Sequence, residues 1–538
     1  QRRAGDALRL CQPEGGGEAH TESLRLRDLH VRWARSRPPH YWVIVSTHHD
    51  IGGIGKPVRR AFADVGVAML LAFAAGALYR ATLLHRIYGN DGAMLADWTA
   101  LPGGGYPQYH NVLYQPAAKL LELLLPRGLI TAPDDPLWIA KSLGVVCAAI
   151  GVAFSYGCCR RLGIRAWPSV AGSAVLAVTP TIWFFAAAIE VHMQHFAVVS
   201  IGAFVTLSVP WRRAVLATVL TAPLFVVFAL SHQSALTLGP AWLLLAQLAR
   251  RRQGVAALRI APLFFVGCAW FASLVLGHLL VQWCRDRGFA FGAGDLAHTV
   301  SQWRRPFCAQ VMVDAVLLPL GVFVPIGLVA IVSRAVPGLL RGLAAVMMLP
   351  LISSIVWWGV TERGGYLTGS SFVLAALVAA WIAALRPRVA VPLALGLILL
   401  QGAFACWQLR AFDAEGFDLE VRVARITEQL GPNRIVLSCN DNAPKLDIWL
   451  PDAREENLLK RLSPGADLDA WCAIVQPMIA TVVAQGRVVF DVSFDLRSDL
   501  PTIAREAMDR LQTYLRETFV VTVLEDPSWP LWIVEPRR

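Results

Sequence analysis

Asp91, Glu190, His192, His232, Glu362 and Arg363 are the residues of this chain whose types and positions best suit chemistry. Each lies at or near the end of a long apolar run. Carboxylates and imidazoles exchange protons when geometry and pKa allow. A guanidinium grips phosphate through paired, charge-assisted hydrogen bonds. An acid, a base and a phosphate-binding cation together suit group transfer from a phospholipid-like donor. Glu190, His192 and His195 fall in AIEVHMQH, residues 188–195. Ionisable groups at such a place are costly and usually face a cavity or a partner. Glu190 and His192 fit either a reacting pair or a Glu–His pair that stabilises a helical hairpin. His195 fits the structural role better. His232, in SHQ (231–233), fits a site residue or an interfacial cap. Glu362 and Arg363, in TERGGY (361–366), fit a phosphate grip or a local ion pair.

These residues need elements to position them, and composition says which kind. Of 538 residues, 56% are hydrophobic and only 16% charged. A soluble globular chain holds about 45–50% apolar and about 25% charged residues. The gap excludes an ordinary soluble enzyme and a disordered scaffold, and points to a polytopic membrane protein. A span needs about 20 apolar residues. Eleven segments qualify, near 62–82, 137–158, 167–188, 191–209, 214–231, 233–249, 258–282, 311–332, 342–359, 369–385 and 389–409. Arg clusters at 160–165, 212–213, 250–259, 334–341 and 386–388 occupy every second connection. Lys and Arg mark the cytoplasmic side, so the net charge of +11 reads as topology rather than nucleic-acid binding. Residues 1–61 are expected to form a basic cytoplasmic tail. The candidate residues all fall on the opposite, outer side.

The first outer loop, 83–136, is long enough to be functional. It carries Asp91, Asp97, a Gly103–Gly105 turn and His110, and its stretch 112–125 is amphipathic. Asp97 fits an ordinary solvated position better than a reacting one. The loop 283–310 carries Arg285, Arg287, Arg304 and Arg305 yet also falls outside. Either it binds something anionic or the span before it is misplaced. An odd number of spans sends residues 411–538 outside, where they read as a small α/β domain. Strands are expected at 434–439, 487–494, 520–524 and 532–534, and helices at 467–485 and 502–518. The ten Cys show no metal-ligand spacing. On the outer side, Cys284 with Cys308 and Cys439 with Cys472 are candidate disulfides.

The layout of 62–410 resembles the GT-C membrane glycosyltransferases, especially their protein O-mannosyltransferase-like branch. The resemblance rests on Asn-Asp-Gly at 90–92, HNVLYQP at 110–116 and Val-Thr-Pro at 178–180. AAIEVH at 187–192, FALSHQ at 228–233 and ERGGY at 362–366 complete it. Ala93 stands where that branch often has a second acidic residue, Asn111 where it has Pro, and His192 where it has Tyr. The resemblance implies an inverting transferase that takes a sugar from a polyprenyl-phosphate donor to a hydroxyl of a protein, lipid or glycan. It makes Asp91 the general base and Arg363 the residue neutralising the leaving phosphate. Glu362, His232, Glu190, His192 and His110 would line the site. No cofactor or tightly bound metal is expected, although a divalent metal stays open. No phosphate-binding Gly-rich loop points to a nucleotide sugar as direct donor. Three rivals remain. A lipid-linked glycan flippase would need polar groups across the bilayer midplane, a non-catalytic scaffold would leave Asp91 dispensable, and an O-antigen ligase or polymerase would share the donor on another fold. The topology is testable with Asn440→Cys: an impermeant thiol reagent should label it in intact cells, and protection there would overturn the eleven-span reading.

Overall fold

The structure is a computed structural model. It describes residues 55–85, 87, 89–100, 112–284, 313–349, 362–414, 419–431, 433–438, 445–458, 467–491, 502–524 and 531–537. Most of the expected N-terminal tail therefore lies outside the described residues. The helices run α1 (Gly55–Arg80), α2 (Gly89–Ala100), α3 (Tyr114–Leu124), α4 (Trp138–Arg161), α5 (Ala166–Ala177) and α6 (Pro180–Ala187). They continue as α7 (His192–Ser208), α8 (Ala214–Ser231), α9 (Gly239–Arg252), α10 (Ile260–Cys284), α11 (Phe323–Val332) and α12 (Gly338–Val346). Last in this series are α13 (Ser371–Ala384) and α14 (Pro387–Ala414). Tight 3-10 segments, Gln233–Leu238 and Glu362–Ser370, precede α9 and α13.

Among the described residues six helices are long and apolar enough to cross a membrane, or seven if the bent pair α5–α6 is one span. The chain is a multi-pass membrane protein. The expected segments 191–209, 233–249, 311–332 and 342–359 fall on shorter helices, α7, α9, α11 and α12. Expected loop residues 285–310 and the end of the ninth segment lie outside the described residues.

The expected span 167–188 is bent by 59° at Val178–Thr179. Pro180 lacks an N–H and cannot continue α5, and Thr179 before it is extended (φ −70, ψ 135). A second break falls at Gly321 (φ 53), between Leu318–Leu320 and α11. Backbone groups freed inside a membrane need partners. Gln401 of α14 supplies them: its Oε1 accepts from the Val322 N–H (2.8 Å) and its Nε2 donates to the Leu320 carbonyl (2.9 Å). Gln408, two turns on, donates to the Leu318 carbonyl at 2.9 Å.

Helices approach closely where one side lacks a side chain. The Phe196 ring of α7 lies on Gly151 of α4, and the Phe228 ring of α8 lies on Gly202 of α7. A Cβ at either glycine would overlap the ring, so neither contact survives a larger residue. α4 is mostly buried, whereas α1 exposes nearly all of its apolar span, as a lipid-facing helix does. Asp64 on α1 accepts hydrogen bonds from Arg160 Nε and Tyr156 OH, both at 2.8 Å. This ties α1 to the Arg-rich end of α4.

Residues 419–535 carry α15 (Leu419–Gln429), β1 (Ile435–Ser438), β2 (Arg454–Asn457), α16 (Leu468–Val483), β3 (Val488–Asp491), α17 (Thr502–Thr518), β4 (Val520–Leu524) and β5 (Leu531–Glu535). The sheet order is β2-β1-β3-β5-β4, parallel around β1 and antiparallel around β5. Leu437, Phe490 and Trp532 face Val475, Ile479, Leu511 and Leu515 of α16 and α17. Val436, Val489 and Ile533 face Ile426 of α15. This alternation is the period-two pattern of a sheet covered on both faces. Cys472 is a free thiol, so the expected bond to Cys439 is not formed. Of the other expected pair, Cys284 with Cys308, Cys308 lies outside the described residues.

Arg422 of α15 is fully buried and donates to Asp491 (2.9 Å) and Glu455 (3.1 Å), joining α15 to β3 and β2. Burial opposes its charge, but the two carboxylates outweigh burial and its titration lies above the usual arginine value. Removing one partner of a buried pair strands the other charge. Arg422→Ala should therefore destabilise this part of the protein by about 3–5 kcal/mol, read as urea unfolding by tryptophan fluorescence in detergent. An unchanged midpoint would mean that Asp491 finds another partner.

Candidate active site

The helix breaks place the candidate residues. α6 ends at Ala187, and Ala188 is extended (φ −94, ψ 159). Residues 188–191 then lead into α7. Glu190 is buried there, and its Oε2 accepts the Val191 N–H at 2.6 Å. His192 and His195 follow at i and i+3, on one face of α7. The Glu362–Ser370 segment lies over that face. Gly365 rests directly on the His192 ring, and a Cβ at Gly369 would lie 2.6 Å from His195 Nε2. Thr368 Oγ1 donates to the His192 carbonyl at 3.2 Å. Only residues without side chains fit at 365 and 369.

His232 ends α8 in an extended conformation (φ −168, ψ 143) and caps the Gln233–Leu238 segment. Its Nδ1 accepts the Ser234 N–H at 3.1 Å and lies 2.8 Å from Ser234 Oγ. Ser234 Oγ is also 3.3 Å from His195 Nε2. His195 Nδ1 is 2.9 Å from Ser231 Oγ, whose hydroxyl donates to the Phe228 carbonyl at 2.8 Å. The rings gather accordingly. His232 lies 5.3 Å from His192, 5.1 Å from His195 and 5.5 Å from Tyr366, centroid to centroid. All four residues are buried.

Arg363 adopts the left-handed conformation (φ 46, ψ 32), followed by Gly364 (φ 74). For a non-glycine residue this costs about 1–2 kcal/mol, so the surroundings must hold it. They do: the guanidinium lies 4.8 Å above the Phe184 ring and 4.9 Å above the Phe412 ring. Cation–π attraction contributes about 0.5–2 kcal/mol, rising as the charge loses water. Gly364 presses on Pro319, just before the break at Gly321. Phe184 touches Phe185, and Phe185 lies 4.5 Å from His192. The aromatic series joins Arg363 to the imidazole cluster.

Asp91 sits in the first turn of α2. The structure describes its backbone position and not its side chain. Neighbouring Gly92 is pressed onto the Ile189 carbonyl, where a Cβ would lie 2.7 Å from the oxygen. The start of α2 therefore abuts the Glu190 turn. Asp97 accepts the Lys445 N–H at 2.8 Å, a structural link to the C-terminal region. Tyr114, which starts α3, is buried with no hydrogen-bond partner for its hydroxyl among the described residues. Burial, and after it the Glu190 carboxylate, push its phenol well above the usual range. His110 and the Glu362 side chain lie outside the described residues.

The structure thus brings Glu190, His192, His232 and Arg363 to one region and places the backbone of Asp91 beside it. It adds residues that sequence reasoning did not select: Ser231, Ser234, Tyr366, Phe184, Phe412 and Tyr114. It also moves His195 from a peripheral place to the centre of the cluster. A spacing signal was available for two of these, since Ser231 and Ser234 flank His232 at the end of an apolar run. Among the described residues no group of three His, Cys, Asp or Glu is placed to hold a metal ion. A cavity of about 430 Å³ beside Arg80, His85 and Lys141 touches none of these residues.

No protein-family model matches this chain, and no curated protein matches it. Among solved structures it is similar to ArnT from Cupriavidus metallidurans bound to undecaprenyl phosphate, with 14% identity and a TM-score of 0.52. That likeness covers 88% of this chain and 97% of ArnT. Apo ArnT gives 13% identity and a TM-score of 0.49, over 89% of this chain and 98% of that one. The apo oligosaccharyltransferase of Archaeoglobus fulgidus gives 11% and 0.46, over 87% and 74%. The likeness to ligand-bound ArnT shows a shared fold.

Proposed function

We propose that the chain is a membrane glycosyltransferase that moves a sugar from a polyprenyl-phosphate donor to a hydroxyl of a protein, lipid or glycan. The observation that carries this reading is Arg363, seated on two aromatic rings beside a buried imidazole cluster. The fold shared with ArnT, whose structure holds undecaprenyl phosphate, supports the donor class. The site would face outside, with the N-terminus inside, eleven crossings between 62 and 410, and residues 411–538 as an outer domain. The Arg clusters at alternate connections support that orientation.

The reaction needs three things. Asp91 would take the proton of the acceptor hydroxyl as its oxygen attacks the anomeric carbon. The bond from that carbon to the phosphate oxygen breaks, and its electron pair leaves with the phosphate. Attack opposite the leaving group inverts the anomeric centre. The products are the glycosylated acceptor and polyprenyl phosphate, and the proton passes from Asp91 to water. Arg363 would neutralise the departing phosphate. A cation held in advance in a site away from water is worth most, because it need not reorganise as charge develops. Glu190, His192, His232 and Tyr366 would line the donor site. Glu362 and His110 are assigned there by resemblance alone. A phosphate leaving group neutralised by Arg363 asks for no resident metal.

Asp91→Asn keeps size and removes the base. In membranes supplied with labelled polyprenyl-phosphate sugars, at matched expression, it should lower transfer at least about 100-fold. Equal transfer in both proteins would remove Asp91 from the mechanism. Absence of transfer from every donor by the wild type would contradict the reading as a whole.

A further inference from the structure

His232 has a hydrogen-bonding environment more specific than a place in a pocket requires. A backbone N–H can only donate, so the Ser234 N–H at 3.1 Å requires a lone pair on His232 Nδ1. An imidazolium would set two N–H groups head to head there. The neutral ring therefore carries its proton on Nε2. Ser234 Oγ lies 2.8 Å from the same Nδ1, and its single hydroxyl proton can serve either that nitrogen or His195 Nε2. Behind Ser234 stand His195 Nε2 (3.3 Å) and, on the far side of that ring, Ser231 Oγ (2.9 Å). Ser231 is anchored in turn on the Phe228 carbonyl. Whichever way the protons along this chain are arranged, Nδ1 of His232 accepts. The buried rings of His192 and His195, 5.3 Å and 5.1 Å from that of His232, also disfavour charge on His232 together with either of them. Capping alone explains little, since Ser, Asp, Asn and Thr are the usual caps. A histidine in that place adds a second ring nitrogen, with a fixed proton.

We propose that His232 is a neutral Nε2–H donor to a phosphate oxygen of the lipid donor, and that Ser234 is the positioning residue whose backbone N–H fixes its tautomer. The phosphate half rests on the function proposed above; the tautomer half stands on geometry alone. A neutral donor aimed where negative charge grows stabilises the leaving phosphate and cannot lose a charge as pH rises.

Two isosteres separate the roles. In His232→Asn the amide oxygen replaces Nδ1 and keeps the cap but removes the Nε2–H. In His232→Gln the amide nitrogen replaces Nε2–H but the cap is lost. Full-length protein carrying isotopically labelled histidine is followed by nitrogen NMR in nanodiscs near neutral pH, with His232 assigned by its loss in His232→Asn. We expect an unprotonated Nδ1 and a protonated Nε2, and a shift of the Nε2 signal when undecaprenyl phosphate is added. His232→Asn should stay folded and lose about 100-fold in transfer. Ser234→Ala keeps the backbone N–H, so His232 Nδ1 should stay unprotonated in it. A protonated Nδ1, or wild-type transfer by His232→Asn, would overturn the inference. No shift with undecaprenyl phosphate in a protein that transfers sugar would overturn its phosphate half. A wild type that transfers nothing would overturn the glycosyltransferase reading, while the spectra still decide the tautomer.

Discussion

Backbone polar groups cannot be left unpaired in hydrocarbon, and the rest of this structure depends on that constraint. A continuous helix satisfies it unaided, and a broken one does not. This chain breaks its helices at Thr179–Pro180, at Ala188–Val191, at His232, at Gly321 and at Arg363–Gly364. Each break frees donors and acceptors that must be met by side chains. Gln401 and Gln408 meet those around Gly321, Glu190 meets the Val191 N–H, and His232 meets the Ser234 N–H. The breaks are stacked on one another: Gly364 on Pro319, Gly365 on His192, Gly92 on Ile189. The polar groups that repair the backbone are thereby collected in one place.

That collection has the character of a site because its members have two jobs. His232 caps a helix and carries an oriented N–H. Arg363 bends the chain in a left-handed turn and lays a permanent charge over Phe184 and Phe412. Two aromatic faces hold the guanidinium in place. The C-terminal region bears on the same arrangement, because the Lys445 N–H fixes Asp97 at the far end of the helix that begins beside Asp91.

The membrane character and most of the C-terminal elements were legible in the sequence. Apolar runs and period-two alternation are local, whereas the bend at Val-Thr-Pro falls inside a segment expected as one continuous span. β2 was not legible, because Arg-Glu-Glu-Asn at 454–457 is a charged edge strand with no alternation to detect. α15 was missed as well, since its burial centres on an arginine, Arg422, whose partners lie far along the chain. α7, α9, α11 and α12 are shorter than the apolar segments expected at those places. In the site, Glu190, His192, His232 and Arg363 stood out as ionisable groups between apolar runs. Ser231, Ser234, Tyr366 and the two phenylalanines did not, because such residues are common in membrane helices. His195 could be placed only once the Gly369 approach and the Ser231 contact were known.

The most direct measurement of the central claim is a cryo-electron microscopy structure of the protein in nanodiscs loaded with undecaprenyl phosphate. The account predicts the lipid phosphate against the guanidinium of Arg363, within hydrogen-bond reach of His232 Nε2, with the Phe184–Phe412 seat unchanged. A phosphate bound away from Arg363, or an Arg363 that leaves its aromatic seat to pair with a carboxylate, would contradict it.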